Sequence, residues 1–464
     1  MPNKKLEHRS YHFAHRLATC EMFGKKRSAP RKRERSDNLS VSVKIYNDGL
    51  PYALARKMLE KVKILIFLLL IALLLAFLYG ALYYNQEISP WNIQTIDYVG
   101  EQSSPPSIIL DSEDNPHICY IDRLGVDNQT LKYATLTNSG WVVQKVDNGM
   151  IMSPSIALDE GRNPHICYID YNVHSLKYAT LTVNGWNITV LEQLKGGGMP
   201  SLAIDSNGNP SIVYASDYSL KYARWSGVNW SISTIDLMDI GRTSSLILDS
   251  QNNPHVCYST GGWLNWTIKY ASFQQNRWVT ENVDYDVFDL PPPSLALDSD
   301  NNPCISYYQR AATYGYLKYA KWAWANWSIQ SVELASPGSS LSLDSEGNAH
   351  VSYCTAYGVY TRYAVGIDSQ WNIQTVDESK SLRSPSLALD SKDNPHMACS
   401  RNIYHGHATT TYGVAYVTQN CITGIKSLIY TIIGLDIFGL LIMIILLAKA
   451  LRKIKKAVKF EPFS

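Results

Sequence analysis

The sequence predicts an all-β fold: a seven-bladed β-propeller of four-stranded blades, closed by an N-terminal strand and flanked by two transmembrane α-helices. Three observations carry this reading. A repeat of 44 to 49 residues recurs seven times, marked by Asp111, Asp159, Asp205, Asp249, Asp298, Asp344 and Asp390. A tryptophan marker recurs out of phase with it, at Trp91, Trp141, Trp186, Trp230, Trp278, Trp327 and Trp371. Two almost uninterrupted apolar runs bracket the array, at 64–82 and 428–448. A period of this length with four short strand patterns is the mark of a propeller blade. One Trp precedes the first Asp and none follows the last, so the segment from Trp91 to Asp97 supplies the last strand of the last blade. Closure of that kind removes the exposed edges that an open array would leave.

The first element is a basic tail, residues 1–63, with 16 Lys and Arg against 6 Asp and Glu. A second basic tail, 449–464, carries six against one. The formal net charge of the chain is only +2, so the body between them is acidic. The segments 64–84 and 425–448 are each long enough to cross a bilayer as a helix of about 20 residues. Positive residues stay on the cytoplasmic side. Both tails are thus expected in the cytoplasm, disordered, with the body 91–418 outside a cell membrane. The cluster from Lys25 to Arg35 reads as a topogenic or lipid-attracted tail, with no nucleic-acid partner. Met58 opens a stretch like the front of a signal sequence and is an alternative start. No small-x-small cleavage site follows, so the run reads as an uncleaved anchor. Asp436 lies in the second run, where an ionisable group marks either a function or a hydrogen bond to the neighbouring span.

The repeat itself reads Ser-x-x-x-Asp, Asn-Pro-His, an apolar stretch ending in Tyr, Leu-Lys-Tyr-Ala, then Trp. In the second copy, 155–159, 165–169, 176–182 and 186–191 are the four strands, rich in aromatic and β-branched residues. Asp and Asn, four residues apart in every copy, are the residues that hold a tight turn through side-chain oxygens. His follows six residues after the Asp at 117, 165, 255, 350 and 396, with Ser211 and Cys304 in the other copies. Equivalent sites on separate blades do not converge, so a packing or hydrogen-bonding role is expected for these His rather than a metal. An acid six residues after each Trp (Asp97, Asp147, Glu192, Asp236, Asp284, Glu333 and Asp377) is read as closing turns or joining blades. The turn 298–302 resembles part of a calcium loop without its Gly and distant carboxylate. No metal, no cofactor and no catalytic residue is therefore assigned. The strand cysteines are expected as free, buried thiols.

Variable loops on a rigid scaffold are where binding is expected. Those between second and third strands are richest in aromatics in repeats four to seven. The ligand-binding candidates are Trp263, Trp266, Arg310, Tyr314, Tyr357, Arg401, Tyr404, His405 and His407. Asn128, Asn187, Asn229, Asn265 and Asn326 begin Asn-x-Ser/Thr sequons and are glycosylation candidates.

The repeat Asp-Ser-x-x-Asn-Pro-His-Ile-x-Tyr, then Leu-Lys-Tyr-Ala, then Trp, resembles repeats of uncharacterised surface propellers of archaea and bacteria, loosely grouped with sialidase-like propellers. The resemblance covers 91–418 and implies architecture. The Asp-box of sialidases occurs in no copy, so it implies no catalysis. The leading reading is a membrane-anchored extracellular recognition or scaffold module for a glycan, an envelope component or a protein. Alternatives are an extracellular sialidase-like glycosidase or lyase, needing carboxylates about 5 to 10 Å apart, and a subunit of a membrane complex.

Overall fold

The computed structural model describes residues 90–100, 105–123, 125, 129–237, 243–261, 266–285, 287, 292–310, 315–405 and 409–419, with scattered helical positions between 57 and 71 and between 445 and 452. The chain divides into two compact units, Met1–Ala76 with Ile442–Ser464, and Phe77–Leu441. The described part of the second unit is all-β and propeller-like. Each repeat is an antiparallel meander. In repeat two the strands are Ile151–Leu158, Pro164–Asp170, Ser175–Thr182 and Gly185–Gln193.

Leu382–Leu389, Pro395–His405 and Thr409–Gln419 form the last repeat, and Trp91–Val99 pairs antiparallel with Thr409–Gln419 as its fourth strand. The first strands form an inner ring. Ser107–Leu110 contacts Ile151–Leu158, followed in turn by Ser201–Ile204, Ser244–Leu248, Ser294–Leu297, Asn326–Leu343 and Leu382–Leu389, which contacts Ser107–Leu110 again.

The expectation of seven separate four-stranded blades is corrected. Hydrogen bonding divides the described strands into six sheets, five of four strands and one of seven. The wide sheet arises because repeats five and six share Asn326–Leu343, which is 18 residues long. That strand pairs with Gly315–Ala323 through its first part and with Ala349–Thr355 through its last. Between the two parts the chain stays extended, and a bulge between Ala335 and Ser339, with Gly338 at φ 115°, absorbs the extra residues. At the junction of repeats one and two, a bend at Met150 breaks the chain instead.

The flanking transmembrane helices are corrected as well. Among the described residues no helix is long and apolar enough to cross a membrane. The expectation rested on hydropathy alone, and apolar length is a requirement for spanning rather than a demonstration of it. The localisation derived from it, a propeller outside a cell membrane with both termini cytoplasmic, is withdrawn with it. Asp436 lies outside the described residues.

Each hydrophobic cluster of the ring straddles a seam between consecutive repeats. Cys119, Leu131 and Tyr133 of repeat one pack with Ile156, Ile166 and Tyr168 of repeat two. The same pattern runs round to Tyr416 of the last repeat packing with Ile118 and Tyr120 of the first. No repeat buries its apolar face alone, so stability belongs to the seams.

Candidate functional site

The residues that recur in every repeat are explained by seam and turn bonds. Asp111 Oδ1 accepts the backbone N–H groups of Glu113 (2.9 Å) and Asn115 (2.8 Å), and the Asn115 side chain donates to both oxygens. Burial alone would raise the pKa of this carboxyl, yet these donated bonds outweigh it, and the pKa falls below the ordinary Asp value. Asp159, Asp205, Asp249, Asp298, Asp344 and Asp390 are lowered in the same way. Asp298 Oδ1 thus serves the turn, accepting from the backbone of Asp300 and Asn302.

The recurrent His is buried between two partners. His117 shares a hydrogen bond with Tyr133 Oη through Nδ1, and its Nε2 lies 3.6 Å from Asp111 Oδ2. His165 pairs with Tyr178, His255 with Tyr270, His350 with Tyr363 and His396 with Tyr416. Burial lowers the pKa of His117, His165, His255 and His396 despite the nearby carboxylate, so these rings are held neutral. Ser211 bonds Tyr222 where the His is missing (2.9 Å). Each of these tyrosines then meets, edge-on, a Trp of the next repeat. Tyr133 meets Trp186 at 5.4 Å, Tyr363 meets Trp91 at 5.2 Å and Tyr416 meets Trp141 at 5.2 Å.

The acid after each Trp joins repeats too. Asp97 accepts from Tyr120 Oη and Lys132 Nζ of repeat one, both at 2.8 Å. Tyr168 with Asp147, Tyr258 with Asp236, Tyr307 with Asp284 and Tyr353 with Glu333 repeat the bond. The seventh acid departs, because repeat seven has Cys399 where the others have that Tyr. Asp377 accepts instead from the backbone of Ser381 and Leu382. The six described strand cysteines are free and buried.

The Ser of Ser-x-x-x-Asp has no role assigned from sequence, and it lines a central cavity. Ser155 Oγ accepts the Leu202 N–H of the next repeat at 3.1 Å. Ser201, Ser245, Ser294 and Ser340 latch onto Leu246, Leu295, Leu341 and Leu387, and Ser386 onto Ile108 (3.4 Å), back to repeat one. All six of these serines, together with Ser107, line a central cavity of about 370 Å3. It opens where the first strands begin, and Pro106, Pro154, Pro200, Pro293, Pro337 and Pro385 complete its wall. Each latch uses the hydroxyl as an acceptor, which leaves its O–H able to donate. Ser244 Oγ is buried in the same wall with no partner among the described residues. Arg383 supplies the one cation among the described lining residues, none of which is Asp, Glu or His. Its Nη1 donates to the carbonyls of Lys380 (2.9 Å) and Leu382 (2.8 Å).

Among the described loop candidates, Tyr357 is next to a residue of this cavity's wall. It adjoins Gly358, which lines it, and stands 75% exposed with φ 67°. Arg310 is exposed at the end of a strand. Trp266 begins the third strand of repeat four and packs half-buried against the cluster between repeats four and five. Arg401 is half-buried and donates to Thr95 Oγ1 at 2.6 Å, joining the last repeat to its fourth strand. Tyr404 and His405 end Pro395–His405, their side chains outside what is described, and Trp263, Tyr314 and His407 lie outside the described residues. Asn187, Asn229 and Asn326 are exposed at or beside third-to-fourth-strand turns; Asn128 and Asn265 are not among the described residues.

No protein-family model and no curated protein matches the chain in sequence, so the sialidase-like resemblance has no family match behind it. Solved structures similar to the chain include a protein of unknown function from Dyadobacter fermentans, at 11% identity and TM-score 0.44, covering 71% of this chain and 99% of that one. A six-bladed β-propeller lectin from Aleuria aurantia with a fucose recognition mode is similar at 12% identity and TM-score 0.44, over 61% of this chain and 97% of its own. The polysaccharide lyase Uly1 is similar at 7% identity and TM-score 0.44, over 70% and 91% respectively. At these identities and scores the likenesses carry nothing about binding or activity in this chain.

Proposed function

We propose that the protein is a non-catalytic recognition module whose central cavity takes a sugar residue bearing a carboxylate. The observation that carries this reading is the composition of the cavity wall. A ring of serine hydroxyls with O–H groups left to donate, plus one guanidinium, is an environment for an acceptor-rich ligand of one negative charge. The volume of about 370 Å3 suits a single small ligand. Tyr357 is the loop contact. A non-glycine residue held at φ 67° on the cavity rim is a local strain that points to a function.

Hydrolysis or elimination of the sugar would require paired carboxylates. The described lining offers no carboxylate, which favours capture over cleavage. The test is retention of fractionated acidic and neutral glycans by the full-length protein, with reducing ends followed over time. Acidic glycans should be retained without new reducing ends, and Arg383→Ala should weaken retention by about tenfold or more, the worth of one charge-assisted bond. Reducing ends that accumulate with time, or retention indifferent to Arg383→Ala, would overturn the proposal.

A further inference from the structure

A second groove lies on the face of the Asp–Asn turns, at the seam of repeats four and five. Its volume is about 370 Å3. Repeat four contributes Asp249, His255, Phe273 and Glu281; repeat five contributes Asn302 and Trp322. The described lining holds two carboxylates and no Lys or Arg. Asp249 is occupied, accepting from Asn253 and lying 3.4 Å from His255 Nε2. His255 is kept neutral by burial and adds no positive charge.

Glu281 is different. It is half-buried, and among the described residues no hydrogen bond or ion pair reaches its carboxylate. Burial alone raises its pKa. The other repeats have no acid at this position. Three residues after the marker Trp they carry Gln94, Gln144, Thr189, Ser233, Gln330 and Gln374. Gln144, Ser233 and Gln330 accept the indole N–H of the next repeat's Trp186, Trp278 and Trp371, at 3.2, 3.5 and 3.1 Å. At the fourth repeat the corresponding indole, Trp327 Nε1, is buried with no acceptor among the described residues. Three repeats make this seam bond; Glu281 leaves it unmade, as Gln94 does before Trp141, and unlike Gln94 it places a charge in a cavity.

The aromatic residues of the groove are also local to this part of the ring. Phe273 and Trp322 occupy the position held by Leu136 and Leu181 in repeats one and two. Each is fixed edge-on by its own repeat's marker, Trp278 at 5.3 Å and Trp327 at 5.4 Å. A partly desolvated carboxylate among aromatic rings is the chemistry that selects a positively charged nitrogen.

We propose that this seam binds an organic ammonium group, with Glu281 as its counter-charge and Phe273 and Trp322 as its aromatic lining. A lysine side chain and an amino sugar both present that group. The test titrates the full-length chain by calorimetry with Nα-acetyl-lysine methylamide and with glucosamine. Nα-acetyl-norleucine methylamide and N-acetylglucosamine are the uncharged counterparts. At least one ammonium compound should bind about tenfold or more tightly than its counterpart. Glu281→Gln should abolish that difference, and Trp322→Leu should weaken it. Glu281→Gln installs the residue type that repeats one and five use, so its melting temperature should stay level or rise, which separates loss of binding from loss of fold. Binding of the lysine compound alone assigns the site to a peptide, and of glucosamine alone to an amino sugar. Equal affinity for charged and uncharged compounds, no binding by either ammonium compound, or unchanged binding by Glu281→Gln would overturn the proposal.

Discussion

At the scale of the residue, the recurrent side chains make stability depend on pH in two steps. His117, His165, His255 and His396 have folded pKa values below 6.5 because they are buried. Between the folded and unfolded values the unfolded chain binds more protons, so stability rises with pH there and falls as pH drops below about 6.5. The turn carboxylates, lowered by their hydrogen bonds, contribute stability that is full above about pH 4 and is lost as pH falls through the folded values. Melting curves from pH 8 to 3 should therefore decline first near pH 6 and again in the carboxylate range. Replacing His165 by Ser, as repeat three has Ser211, should shrink the first decline and leave the second. A decline near pH 6 of unchanged size would contradict this. The turn pairing was legible in the sequence, because Asp and Asn four residues apart have few other uses. The donor was not: the Asn contributes its amide nitrogen, which depends on coordinates. The Ser of Ser-x-x-x-Asp was visible as a repeat feature, but its latch crosses to another repeat and no local pattern encodes it.

At the scale of the element, a latch serine contributes one neutral hydrogen bond to its seam. Ser201→Ala leaves the Leu246 N–H unpaired and should cost about 1–3 kcal/mol, measured by denaturant unfolding. Loss of less than about 0.5 kcal/mol would show that water replaces the hydroxyl. Strand existence was readable because period-2 alternation and turn residues bound each strand tightly, as in repeat two. Sheet number was not, since it depends on whether the linker between two repeats bends. Met150 and Ser336-Pro337-Gly338 stand at comparable junctions, yet only the first interrupts the strand.

At the scale of the whole molecule, a ring of shared seams predicts that every seam counts alike. Trp91 closes the last seam from the far end of the sequence, and Trp278 sits in an interior one, each edge-on to a Tyr at 5.2 and 5.3 Å. Trp91→Ala and Trp278→Ala should each cost about 3–5 kcal/mol and lower one common unfolding transition. Two separate transitions in Trp91→Ala would mean that the last repeat unfolds independently. The candidate site illustrates what a single chain withholds. The central cavity is assembled from two or more residues of each repeat, all common types, and only their convergence gives them meaning.

The pairing of Trp91–Val99 with Thr409–Gln419 also sets the timetable of synthesis. At about 5 to 20 residues per second, the first of these strands waits roughly 15 to 65 s on the ribosome for its partner. Throughout that interval Ser107–Leu110 and its neighbours can form seams, but the nascent array keeps two unpaired strand edges. A pause in translation anywhere between the two strands would therefore lengthen that exposure by its own duration.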